Sequence, residues 1–112
     1  MFIDDCLQGT KILFSKDYIE PFNIGSEEQV SINQMIDIIE DIAQYKVEKN
    51  YQLDKPLGVR GRSSDNSFIT KKIGWVPESS LKEGLLKTHK WISHQIDSGT
   101  NIDKFCKSNI EK

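Results

Sequence analysis

Four stretches of the chain place apolar residues at helical spacing, and two short stretches have the pattern of strands. The clearest helix begins at Ser31, because Ser31 and Gln34 form a capping-box sequence in which each side chain can bond the other residue's backbone N–H. Apolar residues then recur at i, i+3, i+4 and i+7, which places them on one helix face. They are Ile32, Met35, Ile36, Ile39, Ile42 and Ala43, with Glu40 and Asp41 on the expected solvent side.

Three further helices are predicted from their start and stop signals. The first runs from about residue 4 to residue 14 and is capped by Asp4 or Asp5. A short helix follows residues 65–66 and ends at Gly74, and the last begins at a second capping box, Ser80 with Glu83, and runs to about residue 96. The side chains expected to face the core are Cys6, Leu7 and Leu13 or Phe14 in the first helix, Phe68, Ile69 and Ile73 in the short one, Trp75 just after it, and Leu81, Leu85, Thr88, Trp91 or Ile92, and Ile96 in the last.

The two strand-like stretches decide the predicted fold class. Residues 21–25 place Phe22 and Ile24 on one face, as in a short buried strand, and residues 47–53 alternate apolar or long side chains with polar ones, as in an edge strand. Two or three short strands beside four helices indicate α/β or α+β, and we predict an α/β fold. Residues 1–97 would form the domain, and residues 98–112 a loosely attached tail.

Length and charge exclude several classes of protein. A chain of 112 residues can form one small domain but not two. With 15 basic and 17 acidic residues, it lacks the basic excess of a nucleic-acid-binding domain. No apolar run approaches the roughly 18 residues of a membrane span, and no signal peptide is recognisable, so we expect a cytoplasmic protein. Cys6 and Cys106 match no metal-binding spacing.

The strongest candidate for chemistry is the arginine loop, residues 58–66, with the sequence GVRGRSSDN. Its glycines allow close approach of the backbone to a ligand, and the guanidinium groups of Arg60 and Arg62 match pairs of phosphate oxygens. Asp65 or Asn66 can begin the next helix, whose N-terminus would favour an anion. The loop therefore indicates a phosphate-binding site, and the alternative is a solvated surface loop.

Few other residues could carry out proton transfer. His89 and His94 are five residues apart on one predicted helix and do not share a face. Tyr45 and Lys49 fit the Y-x-x-x-K spacing of short-chain dehydrogenases, but Lys49 lies in a strand-like stretch and the two would not stack on a helix. We predict no catalytic residue and no metal ligand in this chain.

Residues 2–96 resemble the C-terminal third of extended short-chain dehydrogenase/reductase proteins, the NAD-dependent sugar-nucleotide epimerases and dehydratases. The resemblance rests on FIDDC at residues 2–6, FNIGS at 22–26, IGWVP at 73–77, and the L-x-EGL and WI elements at 81–85 and 91–92. The arginine loop is similar to the GVRGRNSDN of the GDP-mannose 3,5-epimerases and departs from it only at Ser63.

This resemblance implies a function for the chain as part of a larger enzyme. Such an enzyme oxidises a GDP-hexose with NAD, epimerises it and reduces it again. This segment would bind the GDP-sugar through Arg62, with Arg60 and Ser64 as neighbouring contacts. NAD would be bound by a Rossmann domain that this sequence does not contain, so the chain alone would be inactive. The full-length protein would be a homodimer, with no nucleic-acid or membrane partner.

Two alternatives remain open at the level of the sequence. The chain could be the corresponding segment of another epimerase, dehydratase or decarboxylase that acts on a UDP- or dTDP-sugar. It could also be a stand-alone, non-catalytic module that binds a nucleotide sugar or another protein.

Overall fold

The computed structural model describes residues 1–56 and 58–99 and contains four α-helices in these ranges. They are α1 (Ile3–Phe14), α2 (Ile32–Ala43), α3 (Ser67–Ile73) and α4 (Leu81–Asp97), and α2 packs against α4. Within the described part of the chain, none of these helices has the length and apolar character to cross a membrane. Most of the predicted tail, including Cys106, lies outside the described residues.

The helices whose start signals are local begin where they were predicted. The Ser31 hydroxyl accepts a hydrogen bond from the Gln34 N–H at 3.2 Å, and the Gln34 side chain accepts one from the Ser31 N–H at 2.8 Å. Ser80 and Glu83 form the same pair of bonds at the start of α4. Gly74 ends α3 in the left-handed conformation, with φ of 70°. Both capping boxes and the glycine stop are confirmed, because each depends only on residues within one turn.

The predicted α/β fold is wrong, because no strand occurs in residues 1–56 or 58–99. A strand needs a ladder of backbone hydrogen bonds with a neighbouring strand. Residues 21–26 are assigned neither helix nor strand, and their one backbone–backbone bond to another described segment joins the Ser64 N–H to the Ser26 carbonyl at 3.0 Å. A single bond does not form a sheet. Despite its apolar pattern, this segment therefore has no neighbouring strand among the described residues.

The second predicted strand, residues 47–53, instead runs along α2 and bonds to its side chains. These bonds join the Val47 N–H to Glu40, the Lys49 ammonium to Asp37, and the Tyr51 hydroxyl to Asn33. The three acceptors lie at positions 33, 37 and 40, which share one face of a helix. The alternation in residues 47–53 therefore matches one face of α2, and the prediction of an edge strand is corrected.

Glu40 bonds to the beginning of this segment and holds it against α2. The prediction that the Glu40 side chain faces solvent is also wrong. It is only 6% exposed, and its carboxylate accepts hydrogen bonds from the Lys46 ammonium at 2.9 Å and the Val47 N–H at 3.0 Å. The bond from Lys46, followed by that from Val47, lowers the pKa of Glu40 below its usual range.

This lowered pKa predicts how acid destabilises the chain. A carboxyl group with a lower pKa in the folded state stabilises the fold above its unfolded pKa, about 4.3, and that stabilisation is lost as the pH falls through the folded value. We expect Glu40→Gln to lower the free energy of unfolding near pH 7 and to reduce the further loss between about pH 5 and pH 3. Urea unfolding at several pH values measures both effects.

Glu48→Gln is the matched control, because it removes one charge from an exposed carboxylate near the same segment. It should leave the acid-dependent loss of stability close to that of the wild type. If Glu40→Gln and the wild type lose the same free energy of unfolding on acidification, the assignment of Glu40 is contradicted.

The apolar core of the described residues is small and is centred on Trp75. Trp75 and Ile69 are the buried apolar side chains of the described residues, so the prediction that Trp75 anchors the core is confirmed. The indole lies against Gly9 of α1, where an added Cβ would be 2.9 Å from two of its ring carbons. Other side chains predicted to face the core are exposed, namely Leu7, Phe14, Ile32, Ile39, Phe68, Trp91, Ile92 and Ile96. Among the described helices only α2 and α4 pack directly on each other, so most apolar faces have no helix against them.

Asp5 connects α1 to the start of α4 and does not cap its own helix. The N-cap of α1 is Phe2, which makes no side-chain cap bond. The two carboxylate oxygens of Asp5 accept hydrogen bonds from the Glu78 and Ser79 N–H groups, each at 3.2 Å, and the side chain is buried. The predicted cap is therefore replaced by a long-range contact that holds the turn before α4 in place.

Candidate functional site

Arg62 lines an open cleft of about 620 Å³ beside residues 22–26. We call this the Arg62 cleft, and its lining residues are Met1, Phe22, Asn23, Ile24, Gly25, Ser26, Glu28, Arg62, Ser63 and Ser64. Arg62 carries the only cationic side chain among these lining residues. It is exposed and has no hydrogen bond or ion pair to any residue in the described ranges. Its guanidinium group is therefore available to an anionic ligand.

The arginine loop is held against the turn at residues 25–28 by a compact set of polar contacts. We call Gly25, Ser64 and Asn66 the Asn66 cluster. The Asn66 amide donates a hydrogen bond to the Gly25 carbonyl at 2.8 Å and accepts one from the Ser64 hydroxyl at 2.7 Å. An added Cβ at Gly25 would lie 2.4 Å from the Cβ of Ser64, so glycine is required here for the close approach.

Two glutamates of the same turn bond to the backbones that precede or begin α3 and α4. Glu27 accepts a hydrogen bond from the Asn66 N–H at 3.2 Å, and Glu28 accepts one from the Leu81 N–H at 2.7 Å. The turn therefore connects the arginine loop, α3 and α4. This arrangement fixes one wall of the Arg62 cleft relative to the helices.

The N-terminus of α3 is already bonded to carboxylates of the chain. α3 begins directly after residues 65–66, as predicted, with Asn66 as the N-cap. Asp65 accepts a hydrogen bond from the Ser67 N–H at 2.9 Å. Bonds from the Ser67 hydroxyl and N–H lower the pKa of Asp65. Together with Glu27 on the Asn66 N–H, this leaves those amides unavailable to an anionic ligand, so the helix start does not supply the anion site suggested by the loop sequence.

Only two of the three predicted site residues line the cleft. Arg62 and Ser64 both line the cleft, whereas Arg60 is exposed and does not line it. The hydrogen of the Ser64 hydroxyl is donated to Asn66, so a direct bond from that hydroxyl to a ligand would require the existing bond to break. The structure thus brings one arginine, and not both, to the cleft.

Sequence reasoning missed the roles of Asn66, Glu27 and Glu28. The acidic pair has the pattern of a solvated turn, and Asn66 has that of an ordinary helix start. Their partners lie 39, 41 and 53 residues away along the chain. No local pattern reports a contact of that length, so only the tertiary structure could reveal it.

The described residues do not fit an NAD site or a metal site. No glycine-rich loop leads into a helix as in a dinucleotide-binding fold, and the N-termini of α2 and α4 are closed by their own capping boxes. In the part of the chain that the structure covers, no group of three or more His, Cys, Asp or Glu side chains could hold a metal ion. Oxidation and reduction by NAD therefore cannot be assigned to these residues.

Comparison with curated proteins identifies the relatives of this chain. It is 40% identical to a GDP-mannose 3,5-epimerase of Arabidopsis thaliana, over 97% of this chain and 30% of that protein. This chain is related to the C-terminal part of GDP-mannose 3,5-epimerases. It is also 45% identical to GDP-mannose 3,5-epimerase 1 of Oryza sativa subsp. indica, over 86% of this chain and 25% of that protein.

More distant relatives include a second type of sugar-nucleotide epimerase. The chain is 32% identical to a UDP-glucuronate 4-epimerase of Thermodesulfobacterium geofontis, over 86% of this chain and 30% of that protein. The chain thus spans between 25% and 30% of the length of these relatives. No family model and no solved structure matches it. The resemblance to sugar-nucleotide epimerases is confirmed by these relatives.

Proposed function

We propose that this chain forms the part of a GDP-sugar epimerase that binds the diphosphate of the nucleotide sugar in the Arg62 cleft. The observation that carries the proposal is Arg62 itself, whose guanidinium group has no partner in the described residues and is the only cationic side chain that lines the cleft. The relatedness to GDP-mannose 3,5-epimerases supports a GDP-sugar as the ligand over other phosphorylated compounds.

The chemistry of arginine supports this role. A planar guanidinium group can donate two parallel hydrogen bonds to a phosphate, and such charge-assisted bonds are about twice as strong as neutral ones. Binding the non-reacting end of a substrate is one way in which an enzyme orients the reacting carbon. The described residues would thus contribute substrate binding, and the NAD-dependent oxidation, epimerisation and re-reduction would need residues outside them.

Arg60 and Ser64 belong to the same proposal as secondary contacts. Arg60 is two residues from Arg62 and could reach a ligand that extends out of the cleft, whereas Ser64 would support the loop through Asn66. NAD bound by a Rossmann domain, a homodimeric full-length protein, the absence of a nucleic-acid partner and a cytoplasmic location remain predictions that accompany the proposal.

Binding of nucleotides tests the proposal and its main alternative. The protein produced from its complete reading frame should be stabilised against heat by GDP-mannose and by GDP, because a ligand that binds only the folded state raises the free energy of unfolding, by about 2.7 kcal/mol at about one hundred times Kd. UDP-glucuronate, dTDP-glucose and inorganic phosphate serve as matched comparisons in the same buffer.

Each outcome distinguishes the proposed function from one of its alternatives. Stronger stabilisation by UDP-glucuronate than by GDP-mannose would favour the UDP-sugar alternative, which the Thermodesulfobacterium relative supports. Stabilisation by GDP-mannose without any epimerase activity would indicate a non-catalytic binding module. No stabilisation by any of the nucleotides would contradict the proposed function.

A further inference from the structure

Asn66 is the most deeply buried polar side chain in the described residues, and it lies in the connection between the arginine loop and α3. It is 2% exposed and makes a hydrogen bond with each end of its amide. Its backbone N–H is also bonded, to Glu27. A buried amide with all three of these groups bonded is held in one position, because breaking any bond would leave a buried polar group unsatisfied.

The bonds of Asn66 join two segments that both line the cleft. Gly25 and Ser26 belong to one segment, and Arg62, Ser63 and Ser64 belong to the arginine loop. Asn66 donates to the Gly25 carbonyl and accepts from Ser64, while the Ser64 N–H donates to the Ser26 carbonyl at 3.0 Å. The backbone at Ser64, two residues after Arg62, is therefore bonded to the segment that contains Gly25 and Ser26.

We infer that Asn66 is a positioning residue for the Arg62 cleft: by joining Ser64 to Gly25 it fixes the arginine loop so that the guanidinium group of Arg62 is presented to the anionic ligand. This inference rests on the proposed function and deepens it. Asn66 does not line the cleft, so its effect on a ligand is indirect, and Arg62 is the lining side chain that carries a positive charge for an anion. A small displacement of a binding group is enough to weaken a bidentate contact, because its geometry is specific.

A double-mutant cycle between Asn66 and Arg62 tests this inference, with GDP as the ligand and isothermal titration of the protein from its complete reading frame as the measurement. We expect Asn66→Ala to weaken GDP binding at least about fivefold when Arg62 is present. In the Arg62→Ala background the same substitution should change the affinity by less than about twofold. Such non-additivity is expected when one residue acts through the other.

Gly25→Ala provides a second variant that leaves Asn66 intact. The added Cβ would meet the Cβ of Ser64 and displace the loop, so we expect a loss of GDP affinity that also disappears in the Arg62→Ala background. This variant decides the question if Asn66→Ala fails to fold.

Glu40→Ala is the matched control for general destabilisation. Glu40 is also a buried polar side chain with two hydrogen bonds to a neighbouring segment, but it lies on α2 and does not line the cleft. It should lower the thermal stability without changing the affinity of the folded protein for GDP. An equal loss of affinity in Glu40→Ala would overturn the inference.

The outcomes distinguish this inference from the proposed function. If Arg62→Ala leaves GDP affinity unchanged, the proposed function fails. If Arg62→Ala weakens binding but Asn66→Ala and Gly25→Ala do not, or if their losses simply add to that of Arg62→Ala, the proposed function stands and the positioning role of Asn66 is wrong.

Discussion

Replacement of Trp75 by alanine is expected to lower the free energy of unfolding by about 3–5 kcal/mol, the usual range for truncation of a buried aromatic side chain. Trp75 is 4% exposed and is one of two buried apolar residues in the described ranges. Its ring packs against Gly9 of α1. Its removal would leave a cavity between α1 and the segment that leads to Glu78, whose N–H donates a hydrogen bond to Asp5. Since small domains are stabilised by only about 5–15 kcal/mol, this single change should remove much of the total.

Urea unfolding followed by circular dichroism measures this effect, and Trp91→Ala is the matched control. Trp91→Ala removes the same amount of side chain from a position that is 62% exposed, and should change the free energy of unfolding by less than about 0.5 kcal/mol. A loss below about 1 kcal/mol for Trp75→Ala would mean that Trp75 is not the centre of the core.

Trp75→Phe should be milder than Trp75→Ala for a second reason besides its larger volume. The indole N–H of Trp75 is buried and has no hydrogen-bond partner among the described residues. An unsatisfied buried donor costs about 1–3 kcal/mol, so its removal offsets part of the lost packing. A Trp75→Phe variant as unstable as Trp75→Ala would contradict this account.

Replacement of Arg62 by alanine is expected to weaken GDP binding by about 1.5–3 kcal/mol, which corresponds to about a 10- to 150-fold increase in Kd. The reason is the loss of a charge-assisted contact from the only cationic side chain that lines the cleft. Isothermal titration of GDP into the protein from its complete reading frame measures the change. Because Arg62 is exposed and has no partner in the described residues, thermal stability without ligand should be nearly unchanged.

Two arginine variants sharpen this result. Arg62→Lys keeps the positive charge but loses the planar fork, so it should restore only part of the affinity lost in Arg62→Ala. Arg60→Ala removes an identical side chain that does not line the cleft, and its effect should be several times smaller. Unchanged GDP affinity in Arg62→Ala, or an equal loss in Arg60→Ala, would refute the assignment of Arg62 as the principal contact.

The ends of the helices could be predicted from the sequence more accurately than their buried faces. The starts of α2 and α4 and the end of α3 depend on bonds within one turn, so Ser31, Ser80 and Gly74 were identified correctly. The faces of the helices were predicted less well, because the side that becomes buried depends on what packs against it. Leu7 and Phe14 have helical spacing, yet both are exposed in the described structure.

The errors at Asp5 and Glu40 have a common cause. Each carboxylate has a plausible local role, as a cap for Asp5 and as a solvent-facing residue for Glu40. In the structure each is buried and accepts two hydrogen bonds from another segment. A buried carboxylate needs such partners, and sequence spacing alone does not show that a second segment will supply them.

The sequence by itself determined the elements whose hydrogen bonds are local: two capping boxes, a glycine helix stop, the start of α3 after residues 65–66 and the composition of the arginine loop. The tertiary structure decided that residues 21–26 and 47–53 do not form strands: the former accept one backbone hydrogen bond, from the Ser64 N–H, and the latter bond to side chains of α2. It also decided that Arg62 and not Arg60 lines the cleft, since the loop is held by Asn66 and Gly25, which are 41 residues apart. Local bonds are encoded by neighbours in the chain, whereas burial and the walls of a site depend on segments that meet only in the folded molecule.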